Sequence, residues 1–357
     1  MKVHDFRSDT VTLPTPAMMA AIATARLGDA ARGDDPTVNE LEGLGRELTG
    51  KDDALFLPSG AMANLAALLA HDVRGGEVIV ESAAHIYNSE GGGLSAVAGG
   101  VARPVAGEQG MLGADAVRKA IRHAADLALA PTKLICLENT HNASGGRVMP
   151  PAQMAAIRAV ARQADLAVHL DGARLFNAAA YLEVPIERLC EHADSVWFAL
   201  CKGLGCPVGA LLAGERELMR RARRATKMLG GGMRQAGIIA APALVALRDP
   251  NPQHRRDHAL AALLARGLAA LDSSLVDVAA VQTNIVNCFV DRFADDADAI
   301  AAALRERGVL ANHKGTKIRF VTHSQVDEAN VNAAIAALSA ALERTAGHTH
   351  HSKEIST

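Results

Sequence analysis

Leu166-Ala167-Val168-His169-Leu170-Asp171 and Ser195-Val196-Trp197-Phe198-Ala199-Leu200-Cys201-Lys202 are two nearly continuous apolar runs, each followed at once by a charged side chain. Runs of this length are strands buried on both faces, because a strand wetted on one face would alternate polar and apolar residues. Similar runs stand at Ala54–Leu57, Glu77–Val80, Lys133–Leu137 and Ala210–Ala213. Helical spacing lies between them, as in Pro151–Gln163, where Met154, Ile157, Val160 and Ala161 recur on one face. Strands alternating with helices predict an α/β fold with a mostly parallel sheet covered on both sides. Such sheets bind ligands beyond the carboxyl ends of their strands, so the polar residues that follow each run carry the functional argument.

After Arg248-Asp249-Pro250-Asn251-Pro252, a cluster that helices do not readily cross, the pattern changes. A long helix is expected from about Arg255 to Leu271. An extended run at Thr283–Val290 follows, then a helix from Asp295 to Arg307, a strand at Lys317–Val321 and a closing helix. The expected organisation is an N-terminal arm (1–15), a large domain (16–250), a small C-terminal α/β domain (251–345) and a disordered tail (346–357). The tail carries His348, His350 and His351, and no metal site is predicted there or elsewhere.

The 357 residues suit two domains at about 150 residues each. Lys plus Arg number 37 against 39 Asp plus Glu, a formal charge of −2, and aromatics make up 3%. Neither the basic face nor the stacking platform of a nucleic-acid binder is present. No run approaches the ~18 apolar residues of a membrane span, and the first residues lack a secretory apolar core. The five cysteines form no CxxC pair and read as reduced thiols in a cytoplasmic setting. The dinucleotide, P-loop, zincin and nucleophile-elbow signatures are absent from the sequence.

The chemistry is read from what ends the strands. Asp171 and Lys202 fall at the ends of the two opening runs, and Lys202 is followed by Gly203-Leu204-Gly205. A lysine in a low-dielectric crevice is a nucleophilic amine, and a carboxylate facing it keeps a pyridine nitrogen protonated. Together they suit pyridoxal 5'-phosphate (PLP), with a strand-end ion pair as the plain alternative. Ser59-Gly60-Ala61 opens a helix after a strand and offers backbone N–H groups to a phosphate. His85 and His141 each follow a strand, so two imidazoles, an acid and an amine converge on one sheet edge.

These residues sit within blocks that resemble the L-threonine aldolase family, the low-specificity β-hydroxy-α-amino acid aldolases of PLP fold type I. The blocks are Phe6-Arg7-Ser8-Asp9-Thr10-Val11-Thr12, Gly33-Asp34-Asp35-Pro36-Thr37, Leu137-Glu138-Asn139-Thr140-His141-Asn142, His169-Leu170-Asp171-Gly172-Ala173-Arg174, Lys202-Gly203-Leu204-Gly205, Lys227 to Gln235 and Arg319-Phe320-Val321-Thr322-His323. The resemblance spans about residues 5–325. It implies a large domain with a seven-stranded sheet, a lyase that cleaves L-β-hydroxy-α-amino acids to glycine and an aldehyde, and a homotetramer built from dimers with shared sites. It further implies that Lys202 forms the Schiff base with PLP, Asp171 holds the pyridine nitrogen and His85 stacks on the ring. Gly60, Ala61, Lys227 and Arg234 would surround the phosphate, the last two from a neighbouring subunit. Ser8, Arg174 and Arg319 would bind the substrate carboxylate, and His85 or His141, or a water that one of them positions, would be the base.

Three positions depart from the family's usual residues: Arg32 where tyrosine is common, Cys201 where serine precedes the lysine, and Ala61 where threonine is common. Each removes a hydroxyl near the cofactor or its entrance. The expected consequence is a pocket retuned toward aryl substrates such as phenylserine, or, through Arg32, toward an acidic β-substituent. β-Elimination, racemisation or transamination on the same cofactor, and a PLP-fold protein without turnover, are the competing readings.

Overall fold

The computed structural model describes residues 2–354 except Ala124, Asp295 and Asp296, and of 345–354 the backbone only. Two compact units result, one formed by Leu13–Pro250 and the other by Met1–Thr12 with Asn251–Thr357.

The larger unit is built on seven strands: β1 (Asp53–Leu57), β2 (Glu77–Glu81), β3 (Val101–Val105), β4 (Thr132–Glu138), β5 (Ala167–Asp171), β6 (Ser195–Ala199) and β7 (Ala210–Gly214). Their spatial order is β1-β7-β6-β5-β4-β2-β3. The pairs from β6 through β5, β4 and β2 to β3 are parallel, whereas β7 is antiparallel to both β6 and β1. β7 is therefore the one reversed strand, and the carboxyl ends of β1, β2, β4, β5 and β6 all reach the same sheet edge. All six predicted apolar runs are strands, with ends within two residues of those expected. The missed strand is β3, whose sequence Val-Ala-Arg-Pro-Val is half exposed; a proline is tolerated there because β3 is an edge strand with one unpaired side.

Each residue of β2, β6 and β7 is buried, which accounts for the absence of polar alternation. The predicted helix Pro151–Gln163 forms with proline in its first turn and buries Met154, Ile157, Val160 and Ala161. The helix Pro36–Thr49 starts at Asp35, whose carboxylate accepts from Thr37 N and Val38 N, and stops at Gly50 in the left-handed conformation. Removing one of the buried leucines of the strands, such as Leu134 or Leu170, would cost about 2–5 kcal/mol.

In the smaller unit β8 (Ile285–Phe289), β9 (Asn312–Lys314) and β10 (Lys317–Val321) form an antiparallel sheet in the order β9-β10-β8. The helices Asn251–Leu271, Asp298–Glu306 and Glu328–Glu354 belong to the same unit. The first begins inside the expected break, since Pro252 sits in the opening turn where its missing N–H has no intrahelical partner to lose. The second was expected from Asp295, which lies outside the described residues. His4 and Asp5 pair with Val309 and Leu310, and Phe6 meets Phe320 edge to face at 6.0 Å, so the N-terminal residues are woven into this core. Of the expected tail, the backbone is helical to Glu354; the side chains of 346–354, including His348, His350 and His351, and residues 355–357 lie outside the description.

Candidate active site

Asp171 is the last residue of β5 and is 1% exposed. Glu138 of β4 and Trp197 of β6 are its direct partners across the sheet, so the three side chains line up at the common edge. Asp171 Oδ1 accepts from Ala173 N at 3.1 Å, and Oδ2 accepts from Asn64 Nδ2 at 2.9 Å.

Asn64 lies on the buried face of the helix Gly60–Ala70 and makes four side-chain hydrogen bonds. Its Nδ2 donates to Glu90 Oε1 (2.7 Å) as well as to Asp171, and its Oδ1 accepts from Trp197 Nε1 (2.7 Å) and His169 Nε2 (3.0 Å). The orientation of the amide is forced: an indole N–H only donates and carboxylates accept, so the oxygen must face Trp197. His169 Nε2 must then carry its proton, leaving Nδ1 to accept from Ser195 Oγ (2.7 Å), which in turn accepts from His71 Nε2 (2.8 Å). Burial lowers the pKa of His169 to about 3 and of His71 to about 4, so this chain of donors is neutral and fixed in direction.

His85 starts a short helix beyond β2, and its backbone N–H donates to Glu138 Oε2 at 2.6 Å. Its Nδ1 lies 2.8 Å from Glu90 Oε1, with the imidazole 37% exposed and the carboxylate 4% exposed. The hydrogen bond to Glu90 raises the His85 pKa; burial opposes it, the charges of Asp171 and Glu90 add to it, and Lys202 subtracts. Glu90 is itself pushed up by burial and by Asp171, against hydrogen bonds from His85 and Asn64. Burial and the charge of Asp171 likewise push Glu138 up. One ligand atom from each of His85, Glu90 and Asp171 falls within a 4.8 Å cluster. Asn64 Nδ2 already donates to Glu90 Oε1 and Asp171 Oδ2, so the cluster is organised around hydrogen bonds.

Lys202 follows β6 and is half-buried, with Nζ 5.9 Å from the Trp197 ring centroid. The turn at Gly60 also packs against that ring, so closely that a Cβ there would overlap the indole. Ser59 Oγ caps the helix by accepting from Met62 N at 3.3 Å, and Ala61 lies exposed in the first turn. Lys202, Asp171, His85 and the helix start at Gly60 and Ala61 are thus gathered around Trp197 and Asn64.

His141 follows β4 but is fully buried: Nδ1 lies 3.0 Å from Ser144 Oγ, and Nε2 is 3.0 Å from Glu81 Oε2 without a well-aligned hydrogen bond. Gly110, at φ +83°, presses on this imidazole so closely that a Cβ would overlap it. The Glu81 carboxyl is pushed up by burial, but hydrogen bonds from Ala83 N, Gly107 N and Ser82, with the charge of His141, bring it below its ordinary value. Arg174 is 5% exposed and donates from Nη1 to Asn142 Oδ1 at 3.0 Å.

Lys227 and Arg234 gather elsewhere. They line a cavity of about 350 Å³ with Ala31, Glu42, Phe56 and Thr226, and neither Lys202, Asp171 nor His85 is part of its wall. Arg234 Nη1 bonds Asp29 Oδ2 at 2.8 Å, and Arg32 Nε reaches the same oxygen at 3.4 Å. The loop that carries Arg32 is fixed by Asp35, which is buried and also accepts from Gly28 N and Gly237 N. Ser8 and Arg319 belong to the smaller unit. There Ser8 caps a 3-10 turn and Arg319 pairs with Asn287 and Asn312 in the sheet.

Sequence reasoning passed over Asn64, Glu90, His169 and Trp197. The signals were a lone amide among the alanines and leucines of Gly60–Ala70, and a glutamate five residues beyond His85.

Comparison with known proteins places this geometry in a family. The model of the beta-eliminating lyase family matches residues 5–291. Low-specificity L-threonine aldolase 1 of Arabidopsis thaliana is 41% identical over 341 residues, 93% of this chain and 94% of its own length. Among solved structures, the threonine aldolase of Leishmania major aligns at a TM-score of 0.78 with 20% identity, covering 95% of this chain and 99% of that one. Serine palmitoyltransferase from S. paucimobilis, solved with bound PLP, aligns at a TM-score of 0.74 with 17% identity, covering 96% and 88%. The two structures establish the shared fold; the family model and the A. thaliana relative establish that this chain belongs to the beta-eliminating lyases, among the low-specificity L-threonine aldolases.

Proposed function

We propose that the protein is a PLP-dependent aldehyde-lyase that cleaves L-β-hydroxy-α-amino acids of the threonine type to glycine and an aldehyde. The observation that carries this reading is the single sheet edge at which Asp171, His85 and Lys202 surround Asn64 and Trp197. The donor set fits the cofactor: an amine for its aldehyde, a buried carboxylate for its ring nitrogen, an imidazole for its ring face and a capped helix start for its phosphate. Lys202, Asp171, His85 and the Gly60–Ala61 turn would hold those four parts. When bound, PLP supplies the electron sink for the pair released as the Cα–Cβ bond breaks.

The chain's own residues do the rest. Arg174 takes the substrate carboxylate, a role the family resemblance extends to Ser8 and Arg319, since a planar guanidinium grips a carboxylate at two points. A fixed carboxylate sets the direction of the Cα–Cβ bond. The proton of the β-hydroxyl goes to His85, whose Nε2 has no partner among the described residues, whereas His141 is enclosed by Glu81, Ser144 and Gly110.

Lys227 and Arg234 serve the phosphate of a second copy, which makes the working enzyme a homo-oligomer, a tetramer of paired dimers. Supporting this, their cavity stands apart from Lys202, and Met228 (67%), Leu27 and Ile238 are exposed apolar residues of the same unit. No described helix is long and apolar enough to cross a membrane, and a cytoplasmic setting suits the five free cysteines.

Incubation with L-threonine and with DL-threo-phenylserine tests the reading. Equimolar glycine and acetaldehyde or benzaldehyde are expected. Release of ammonia with 2-oxobutanoate from threonine or phenylpyruvate from phenylserine, or of the opposite enantiomer, would instead identify elimination or racemisation.

A further inference from the structure

Glu90 is a buried carboxylate for which the reaction outlined above has no direct use. Two donors converge on one of its oxygens: Oε1 accepts from Asn64 Nδ2 at 2.7 Å and faces His85 Nδ1 at 2.8 Å. Asn64 cannot rotate to release it, because its oxygen is committed to Trp197 Nε1 and His169 Nε2 and its other contact is Asp171. The carboxylate is therefore placed by the same rigid amide that places Asp171. Its one adjustable contact is the imidazole.

We propose that Glu90 is a positioning residue that acts through His85. Its Oε1 keeps a proton on Nδ1, so that the Nε2 lone pair is the one presented to substrate, and its charge makes that nitrogen more basic. This rests on His85 as the proton acceptor in the proposed reaction, although the pairing itself does not need the cofactor. The proton moves from the substrate hydroxyl to Nε2 while Nδ1–H stays with Glu90, so the carboxylate holds the imidazolium and is never itself protonated in the step. The groups facing His85 are Glu90, Asp171 and Lys202, with Glu138 at its backbone N–H, and of these Glu90 is the one bonded to a ring nitrogen. In keeping with this arrangement, the His85 pKa lies above the ordinary histidine value.

The pairing is tested first without cofactor. The His85 imidazole is followed by NMR across pH in apoenzyme of the wild type, Glu90→Gln and Glu90→Asp, with the resonance assigned by its loss in His85→Asn. Gln can still accept from both donors but has no charge, so its midpoint should fall by about one unit, tenfold in proton affinity. Asp, charged but one methylene shorter, should restore part of the shift. On the loaded enzyme, the acid limb of the kcat/KM profile for L-threonine should move down by the same interval in Glu90→Gln, with KM little changed. Midpoints that coincide in wild type and Glu90→Gln would overturn the proposal, as would an acid limb that stays in place. Should Glu90→Gln fail to fold, a Glu90→Asp midpoint between the wild type's and the ordinary histidine value supports the proposal, and an Asp midpoint equal to the wild type's, or a wild-type titration at or below the ordinary histidine value, overturns it. A wild type that shows the raised midpoint yet cleaves no hydroxy amino acid overturns the aldolase reading and leaves the pairing supported.

Discussion

Asn64 donates to Asp171 across 2.9 Å, joining residues 107 positions apart in the chain. The bond ties the first turns of a helix to the end of β5, and the rest of the site is arranged around it. Asp171 is held between this amide and Ala173 N, Glu90 is held by the same nitrogen, and Trp197 and His169 saturate the amide oxygen.

Truncating that amide removes four hydrogen bonds at once. Asn64→Ala leaves the Trp197 and His169 donors buried without an acceptor, which should cost about 2–4 kcal/mol of stability in urea melts. Cofactor affinity, read by absorbance titration, should fall at least about tenfold because Asp171 is no longer oriented. A variant as stable as the wild type that binds PLP equally well would show that the junction is not structural.

Gly60 is predicted to accept no side chain. The Cβ of Gly60→Ala would overlap the Trp197 indole, so either the ring or the start of the helix must move. PLP affinity should drop by about tenfold or more with the fold retained if that helix start holds the phosphate arm, as proposed. Unchanged affinity for both PLP and inorganic phosphate would remove the helix start from the site.

Asp257 makes the smaller unit less stable as the pH rises from about 4 to about 7. It is fully buried, with Oδ1 accepting from Gln253 Nε2 at 2.6 Å and Oδ2 without a partner among the described residues. Burial raises its pKa from 3.8 to about 7, with the charge of Asp9 adding and Arg256 opposing. The folded state therefore holds this proton more tightly than the unfolded chain. Stability is full below about pH 4, declines as the pH rises toward 7, and the penalty, at most about 4 kcal/mol, is then constant. Asp257→Asn should raise Tm at pH 8 and leave it nearly unchanged at pH 4. An equal gain at both pH values would mean that the effect is one of packing.

A complementation experiment decides whether the sites are shared between chains. If Lys227 serves the neighbour's cofactor, Lys202→Ala and Lys227→Ala should each be impaired. Chains refolded together should recover activity, up to about a quarter of wild-type sites for random pairing into dimers. Activity equal to the sum of the separate variants would confine each site to one chain.

Arg32 and Arg234 compete for one Asp29 carboxylate. If Arg32 retunes the side-chain pocket, kcat/KM should favour phenylserine or 3-hydroxyaspartate over threonine, and Arg32→Tyr should shift the ratio toward threonine. A wild type that clearly prefers threonine would remove the idea.

The sheet was readable because its strands are buried on both faces. Ser195–Ala199 and Lys317–Val321 stand out as apolar or alternating runs bounded by polar residues, whereas Val101–Val105, an edge strand with proline and arginine, has no such contrast. Asp171, Lys202, His85 and His141 were visible because each ends or follows a strand. Asn64 was not, since its bonds to Asp171 and Glu90 bridge 107 and 26 residues and no local pattern encodes such distances, and Glu90, although five residues from His85, takes its fixed place from that same amide. The closed setting of His141 likewise depends on Glu81 and Gly110, which reach it from another strand and another turn.

The central claim is that the Lys202 amine carries the cofactor. Borohydride treatment of the PLP-reconstituted protein, after its band near about 420 nm has been recorded, followed by peptide mass mapping, tests this directly. The account predicts one phosphopyridoxyl group per chain on Lys202, with neither the band nor the label in Lys202→Ala. A label on another lysine, or a Lys202→Ala protein that keeps the band and still releases glycine from threonine, would contradict it.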